Sequence, residues 1–278
     1  MVKYRYYISI IFVLSTLAVF SFSHVTNLPK SEIVREQTIR DNTIEFAKAS
    51  DYILPLKGVN EILLHRKGYI TSYNRYTKEP NWVAWHLTEE HLEGTIKRPG
   101  NAWHEDPQVP NPKATHADYK KSGWSRGHMC PAGDNKWDSQ AMYDTFLYSN
   151  VCPQHPRLNS GDWNEIEIAC RRWAQNFKDI YIICGPIYFR KEHKTIGINK
   201  IMVPDAFFKV VICLNGSPKG IGFICRNTEG NRKKDLYVNS ISQVERITGM
   251  TFFPNLPSDI SFMVKNEADI NKWESSKY

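Results

Sequence analysis

The clearest alternation of apolar and polar positions lies in the stretch LNSGDWNEIEIACRRWAQNFKD. Its apolar residues recur at steps of three and four, the spacing of one face of an α-helix; they are Trp163, Ile166, Cys170, Trp173 and Phe177. The pattern predicts a helix from about Gly161 to Phe177. Glu167 falls at the edge of the buried face, and Asn159, just before the first turn, projects onto that same face. Because buried polar groups need partners, this amide and this carboxylate are candidates for a chemical role.

Runs rich in β-branched and aromatic residues predict the strands. Two such runs are Tyr69 to Tyr73 and Trp82 to Leu87, and DIYIICGPIYF predicts a third. The stretch FFKVVICLNGSPKGIGFICRN predicts two neighbouring antiparallel strands around a turn at Asn215 to Pro218. A short helix is predicted from Ser242 to Thr248, closed by Gly249. Strands interleaved irregularly with few helices indicate an α+β fold.

The composition supports one main domain. The chain has 278 residues, of which 41% are hydrophobic, enough for one sizeable core. Residues 24–50 are polar and predict a linker, and residues 51–278 predict the folded domain. The long polar segment from Gly94 to Ser122 predicts a functional loop. The net charge of +7 favours an anionic partner but does not by itself identify one.

The N-terminal segment has the composition of a targeting sequence. Lys3 and Arg5 precede a mostly apolar run from Tyr6 to Phe22, and no acidic residue occurs before Glu32. Residues 1–23 therefore predict a signal peptide, or an uncleaved signal anchor, and an exported protein that is periplasmic, secreted or membrane-anchored.

The six cysteines all lie beyond this segment, and none forms a C-x-x-C pair. Zinc sites of the finger or ribbon kind are therefore not expected. Export would permit disulfides, whereas the apolar strands around several cysteines favour buried free thiols. The sequence leaves both alternatives open.

The stretch GWSRGHMCPAGD allows two interpretations. Its first five residues match G-x-S-x-G, the nucleophile elbow of serine hydrolases, with Ser125 as nucleophile. That elbow needs an apolar strand before it and a helix after it. The preceding residues HADYKKSG are polar, and Pro131 and Gly133 would interrupt a helix. The triad also calls for an Asp and then a His downstream of the serine, yet only His155 and His193 follow His128. The serine-hydrolase interpretation is the weaker one.

Phosphodiester hydrolysis is the alternative chemistry. It needs a base to deprotonate water, a cation at the scissile phosphate and a means of stabilising the leaving oxygen. His128 can be the base and Arg126 can hold the phosphate. Asn159 offers an amide oxygen to a hard cation such as Mg²⁺, which keeps several waters and tolerates few protein ligands.

Two blocks of the sequence resemble a known family. SRGHMCPAGD and YSNVCPQHPRLNSGDWNEIE resemble the signature blocks of the DNA/RNA non-specific endonucleases, the ββα-metal or His-Me finger nucleases of the endonuclease G kind. The second block matches the family at six positions: Asn150, Pro153, Gln154, Asn159, Trp163 and Glu167. The resemblance implies a ββα-metal nuclease fold with a central antiparallel sheet flanked by helices, and an endonuclease domain over residues 51–278.

The resemblance also implies the roles of the site residues. His128 is the general base, Arg126 contacts phosphate, and Asn159 is the direct ligand of Mg²⁺, or of Mn²⁺ as the alternative metal. Glu167 holds a water of the metal ion and assists the leaving group. Asn150 supports the site, and Gln154 shapes the loop. A further family arginine precedes HEDP; Arg98 is the nearest candidate but is not assigned, since loop lengths differ there.

One position departs from the family. Ser125 stands where the family usually has Asp, and the missing negative charge is expected to lower the pKa of His128. The predicted function is an exported, metal-dependent endonuclease that cleaves DNA and RNA through phosphate contacts with little sequence specificity. Its functional rival is a catalytically idle nucleic-acid-binding protein of the same fold. Binding alone would not need His128, Asn159 and Glu167 together.

Overall fold

The computed structural model describes residues 46, 48–100 and 102–274. The chain divides into two units, Met1–Glu45 and Phe46–Tyr278, and all described residues belong to the second. The predicted targeting segment, residues 1–23, lies outside the described residues, as does the predicted linker apart from residues 46 and 48–50. Within the described part of the chain, no helix is both long and apolar enough to cross a membrane.

A seven-stranded antiparallel sheet forms the centre of the fold, in the order β1-β2-β3-β6-β9-β10-β11. Two smaller antiparallel pairs, β4-β5 and β7-β8, lie outside it. The strands are β1 (Ile62–His65), β2 (Ile70–Asn74), β3 (Glu79–Thr88), β4 (Ser125–His128), β5 (Val151–Gln154), β6 (Asp179–Ile187), β7 (Thr195–Ile196), β8 (Ile201–Met202), β9 (Ala206–Cys213), β10 (Lys219–Arg226) and β11 (Val238–Asn239). The predicted strands are present, including the neighbouring pair β9 and β10.

Helices occupy both faces of the sheet. The described helices are α1 (Ala49–Tyr52), α2 (Glu89–Leu92), α3 (His116–Tyr119), α4 (Ser139–Thr145), α5 (Pro156–Ser160), α6 (Asp162–Phe177), α7 (Ile241–Thr248), α8 (Ser258–Asn266) and α9 (Asn271–Glu274). The predicted α+β class is therefore confirmed. Helix α7 matches its prediction and ends at Gly249, whose φ of 71° is left-handed.

Helix α6 confirms the strongest sequence prediction. The five residues of its predicted apolar face are all buried and belong to the main core, where the helix packs against β3 and β6. Asn159 differs from the prediction: it lies on the separate one-turn helix α5, and Gly161 forms the junction between the two helices. The break arises because Gly161 adopts a non-helical conformation with φ of −104° and ψ of −109°.

Strand β10 shows how the two faces are covered. Ile221, Phe223 and Cys225 point into the core beneath α6. The alternate positions Gly220 and Gly222 meet the opposite helices, since successive strand residues point to opposite faces. A Cβ atom at Gly220 would lie 2.1 Å from the carbonyl oxygen of Val264 in α8. The small residues therefore permit α7 and α8 to pack directly on the sheet.

We expect Gly220→Ala to destabilise the protein by about 1–3 kcal/mol, because the added methyl group must displace helix backbone. Urea unfolding followed by circular dichroism measures the change. Gly100→Ala is the matched control, since no atom lies within 4 Å of its added Cβ, and it should stay within about 0.5 kcal/mol of wild type. Equal stability of the two variants would contradict the packing account.

Candidate active site

The short pair β4-β5 carries the first signature block. Ser125 lies opposite Gln154, and His128 lies opposite Val151. Gly127 is required between Arg126 and His128, because a Cβ atom there would lie 2.4 Å from Oε1 of the fully buried Gln154. Helix α5 begins two residues after β5, so the turn of the chain brings Asn159 towards the strand that carries His128.

A cleft of about 400 Å³ opens at this point. Its wall is formed by Arg98, Trp103, Trp124, Ser125, Arg126, His128 and Asn159. The structure thus brings together three of the five predicted site residues: the base, the phosphate-binding arginine and the metal ligand. Glu167 and Asn150 do not lie on the cleft wall.

His128 is held between two aromatic rings. Its ring centroid lies 4.8 Å from that of Trp103 and 5.1 Å from that of Phe146, edge-on to the latter. Its Nε2 atom is buried and has no hydrogen-bond partner among the described residues. Burial, assisted by the positive charge of Arg98, lowers the pKa of His128 to about 3. The imidazole is therefore neutral at physiological pH and able to accept a proton.

Arg126 is oriented by Tyr148 and His116. Its Nε donates to the Tyr148 hydroxyl at 3.1 Å, and Nη2 lies 3.2 Å from Nδ1 of His116. The guanidinium also lies 5.3 Å from the ring centroid of Trp103. No carboxylate among the described residues forms an ion pair with it. Its positive charge consequently remains available to an anion in the cleft.

Arg98 and Trp103 come from the long polar loop predicted to be functional. The Arg98 guanidinium lies 4.7 Å from the ring centroid of Phe146 and 5.5 Å from that of Trp103. Arg98 therefore supplies a second cation to the cleft, although the sequence did not assign it. For Arg98 the sequence offered two signals, the long polar loop and the family arginine that precedes HEDP, whereas for Trp103 it offered the loop alone. Loop residues have no periodicity that predicts where their side chains point.

Asn159 is half-buried, and its side chain has no hydrogen bond to any described residue. An unpaired amide oxygen on a cleft wall fits a hard cation such as Mg²⁺, which keeps most of its waters. Among the described residues, no group of three or more His, Cys, Asp or Glu side chains could hold a metal ion. The donor set therefore fits a metal ion that is held through one protein ligand. The described residues do not form a site in which several carboxylates surround the ion.

Asn150 is fully buried and has a supporting position. Its Oδ1 accepts from the Cys130 amide at 2.9 Å, and its Nδ2 donates to the carbonyl oxygens of Cys130 and Thr145, both at 2.9 Å. These bonds fasten the segment that follows His128. The side chain has no atom left to contact a substrate, so the geometry gives Asn150 a positioning role.

Glu167 is half-buried on α6, one turn after Trp163. Burial raises its pKa to about 7, although the nearby charge of Lys209 opposes the rise. No ion pair to Glu167 occurs in the described part of the chain, because Arg171 instead pairs with the buried Asp134 at 2.9 Å. Arg171 thus belongs to an ion pair with a buried carboxylate and is not available to Glu167 as an ion-pair partner.

Lys209 is a fully buried cation that the sequence analysis missed. Its ammonium nitrogen lies 4.4 Å from the ring centroid of Trp163 and 5.4 Å from that of Trp85. Two aromatic faces and nearby carboxylates thus stabilise the buried charge. The available signal was a single lysine in the otherwise apolar strand FFKVVIC.

The local structure argues against the serine-hydrolase interpretation. Ser125 lies inside strand β4 and is followed by three further strand residues, so it does not occupy a strand-to-helix turn. The segment before it contains the short helix α3, not a buried strand. The geometry of a nucleophile elbow is therefore missing.

All six cysteines are buried free thiols. Of the two alternatives that the sequence left open, the structure shows free cysteines.

Comparison with known proteins identifies a family of nucleases, in agreement with the groups that line the cleft. A family model described as DNA/RNA non-specific endonuclease matches residues 50–259. The chain is 35% identical over 204 residues to the mitochondrial nuclease EXOG of Danio rerio, covering 68% of this chain and 60% of that protein. It is 33% identical over 215 residues to mitochondrial endonuclease G of Bos taurus, covering 72% of each. The chain spans about three fifths of the length of the EXOG relative.

A solved structure shares the fold. The crystal structure of the EndoG/EndoGI complex, described as showing the mechanism of EndoG inhibition, matches with a TM-score of 0.70 and 25% identity. The match covers 77% of this chain and 94% of that chain. The expected ββα-metal nuclease fold is confirmed.

The prediction of an exported protein is wrong, because the relatives include nucleases named as mitochondrial in Homo sapiens and Saccharomyces cerevisiae. The prediction failed because the composition of the N-terminal segment does not distinguish secretion from mitochondrial targeting. A basic segment with no acidic residue before Glu32 satisfies both secretory signals and mitochondrial targeting segments.

We expect Lys209→Met to raise the pKa of Glu167 further above its present value of about 7, because the substitution removes the charge that opposes the effect of burial. A smaller fraction of Glu167 would then be ionised at neutral pH. Carbon NMR of labelled glutamate carboxyl groups, in protein without metal, measures the titration. Lys265→Met, which removes a half-buried lysine paired with Glu245, should leave Glu167 unchanged. An unaltered Glu167 titration in Lys209→Met would exclude the proposed influence.

Proposed function

Because the chain belongs to the DNA/RNA non-specific endonuclease family, we propose that it hydrolyses phosphodiester bonds of DNA and RNA with a divalent metal ion, Mg²⁺ or Mn²⁺. One observation carries the proposal. A neutral imidazole, an unpaired guanidinium and an unpaired amide oxygen share one cleft, which is the set of groups that phosphodiester hydrolysis requires.

His128 acts as the general base in this proposal. Its low pKa keeps it neutral in the free protein, and the negative charge of a bound phosphate would raise that pKa. The imidazole would therefore become a stronger base only when the substrate is present. It takes the proton of the attacking water.

The two arginines hold the reacting phosphate. Arg126 is fixed by Tyr148 before substrate arrives, so it need not reorganise as negative charge develops. Arg98, resting on the faces of Phe146 and Trp103, supplies a second positive charge. Both side chains contact phosphate oxygens, which all nucleic acids share.

Asn159 would hold the metal ion through its amide oxygen. The bound ion supplies charge neutralisation at the scissile phosphate and the leaving oxygen. Glu167 orients water beside that position and assists the departing oxygen, while Asn150 keeps the His128 segment in place through its hydrogen bonds to Cys130 and Thr145.

Low sequence specificity follows from the same cleft. Phosphate contacts fix position without carrying sequence information. The cleft wall offers cations, aromatic rings and an amide, and the chain carries no recognisable base-reading module. We propose that both DNA and RNA are cleaved, single- or double-stranded.

A catalytically idle nucleic-acid-binding protein remains the rival function. The unpaired and neutral His128 favours the enzyme, since binding to phosphates gains nothing from an uncharged imidazole. Plasmid DNA and an RNA transcript, each incubated with the purified protein with and without EDTA, distinguish the two. Cleavage of neither substrate in Mg²⁺ would support the idle protein.

We also propose a mitochondrial location. The mitochondrial names of the EXOG and endonuclease G relatives support it, and six buried free thiols suit a compartment that keeps cysteines reduced. Fractionation of cells expressing the tagged full chain tests the proposal. Recovery of the protein in the medium would contradict it.

Asn159→Ala should lower the cleavage rate by about 10²-fold or more, the scale on which one electrostatic stabiliser of a transition state contributes. Affinity for an oligonucleotide in EDTA should persist, because the basic surface is intact. Plasmid cleavage and fluorescence anisotropy measure the two quantities. Asn176→Ala, near the end of the following helix α6 and not on the cleft wall, serves as the control. Undiminished cleavage by Asn159→Ala would remove the metal site.

Ser125→Ala should retain substantial nuclease activity, whereas His128→Ala should lose about 10²–10⁴ in rate, the usual contribution of a general base. A fluorophosphonate probe should leave the wild-type protein unlabelled. Labelled and inactivated Ser125 would restore the serine-hydrolase interpretation. Steady-state kinetics on one oligonucleotide, together with mass spectrometry after probe treatment, give both readouts.

A further inference from the structure

A second cavity adjoins the cleft. It has a volume of about 430 Å³, and its wall includes Trp124, Phe189, Arg190, Lys194 and Arg226. Trp124 also lines the first cleft. The two spaces therefore share Trp124 as a wall residue.

The two aromatic side chains of this second cavity, Trp124 and Phe189, are both partly accessible from the surface. Phe189 is 57% exposed, and the Arg190 guanidinium lies 5.9 Å from its ring centroid. Trp124 is half-buried and meets the ring of His155 edge-on, with centroids 6.3 Å apart. Exposed aromatic faces beside cations are the combination with which proteins bind the bases of nucleic acids.

The cations of the cavity are available for phosphate. Lys194 and Arg226 are exposed, and neither forms an ion pair with a described residue. Arg190 is held by Asp205, with Nε 3.3 Å from Oδ1. Asp205 also accepts the backbone amides of Phe189 and Arg190, at 2.9 and 3.0 Å. That carboxylate is thus committed to ordering the loop, and Glu192 is the remaining acidic residue on the wall.

Hydrogen bonds connect the wall of this cavity to the chain segment that precedes Asn159. Asn227, next to Arg226, accepts the amide of His155 at 2.8 Å and donates to the carbonyl oxygens of Pro153 and Pro204, at 3.0 and 2.9 Å. Pro153 and His155 belong to the stretch that leads from β5 to the helix carrying Asn159. The position of Arg226 relative to the cleft is therefore fixed by direct hydrogen bonds.

We propose that this second cavity is a substrate subsite for the nucleotide that neighbours the scissile phosphate. Its base stacks on Trp124, and its phosphate binds Arg226 and Lys194. The inference rests on the proposed nuclease function and adds to it the place where the next nucleotide binds. Stacking and phosphate contact are both independent of base identity, so the subsite strengthens binding without conferring sequence specificity.

The double variant Lys194→Ala/Arg226→Ala tests the phosphate contacts. Its control, Lys57→Ala/Arg246→Ala, removes the same charge from exposed positions away from the cavity. Fluorescence anisotropy of a labelled oligonucleotide in EDTA gives affinity against salt concentration. Losing two phosphate contacts should make the slope of log affinity against log salt shallower by about 1.4 for a single strand and about 1.8 for a duplex. A slope equal to that of the control would overturn the subsite.

Catalysis gives a second readout. Lys194→Ala/Arg226→Ala should raise KM for an oligonucleotide, because two phosphate contacts are lost. The effect on bis(p-nitrophenyl) phosphate, which reaches only the cleft, should be much smaller. Trp124→Ala should likewise raise KM for the oligonucleotide, and Trp124→Phe should largely restore it. Equal losses on both substrates in Lys194→Ala/Arg226→Ala, or no rescue of Trp124→Ala by phenylalanine, would contradict the subsite.

Failure of the proposed function is a separate result. If the wild-type protein cleaves neither substrate in Mg²⁺, the nuclease proposal fails, while the anisotropy measurements still decide whether the second cavity binds nucleic acid. If the wild type cleaves both and the variants match the control, only the subsite fails.

Discussion

The packing of α6 on the seven-stranded sheet is the constraint from which the site follows. Five apolar residues on one face of the helix are buried in the core, where the helix contacts β3 and β6. Because that face can lie against the sheet in only one orientation, the start of the helix is fixed, and with it the junction at Gly161. The one-turn helix before the junction then presents Asn159 to the cleft, and Glu167 lies on α6 one turn after the buried Trp163.

The charges around this helix are arranged at two depths. At the cleft, Arg98 and Arg126 lie against aromatic rings, and Arg126 donates a hydrogen bond to the Tyr148 hydroxyl. Neither arginine forms an ion pair with a carboxylate among the described residues. Deeper, Lys209 lies on the ring of Trp163 among groups that include Glu167 and Asp134. The surface cations can thus meet an anionic polymer, while the buried cation moderates the effect of burial on a carboxylate.

Periodicity explains how much of this could be predicted. The helix Asp162–Phe177 and the strand pair β9-β10 follow local rules of spacing and turn chemistry, and both were predicted from the sequence. Asn159 was placed just before this helix, but the separate one-turn helix that carries it was not predicted, because no pattern of side chains reveals the non-helical backbone of Gly161. The roles of His128, Arg126, Asn150 and Glu167 came from the resemblance, and they stay proposals.

Tertiary contacts explain what was missed. Arg98 and Trp103 reach the cleft from a loop whose course depends on distant partners, such as the bridge between His104 and Leu147. Lys209 contacts Trp163 only because α6 packs over strand β9, and the sequence of the strand alone does not reveal that contact. The location was misjudged for a different reason: a basic, acid-poor N-terminus is a shared property of two kinds of targeting segment, and no structural rule separates them.

The separation of β4-β5 from the seven-stranded sheet has an evolutionary consequence. The large sheet and its helices hold most of the buried apolar residues, whereas the cleft is assembled from a two-stranded pair, a one-turn helix and a long loop. Loop substitutions can therefore reshape the cleft at little cost to folding, because loops tolerate change better than the elements that they join. A lineage of such chains could diversify its substrates while inheriting an unaltered scaffold.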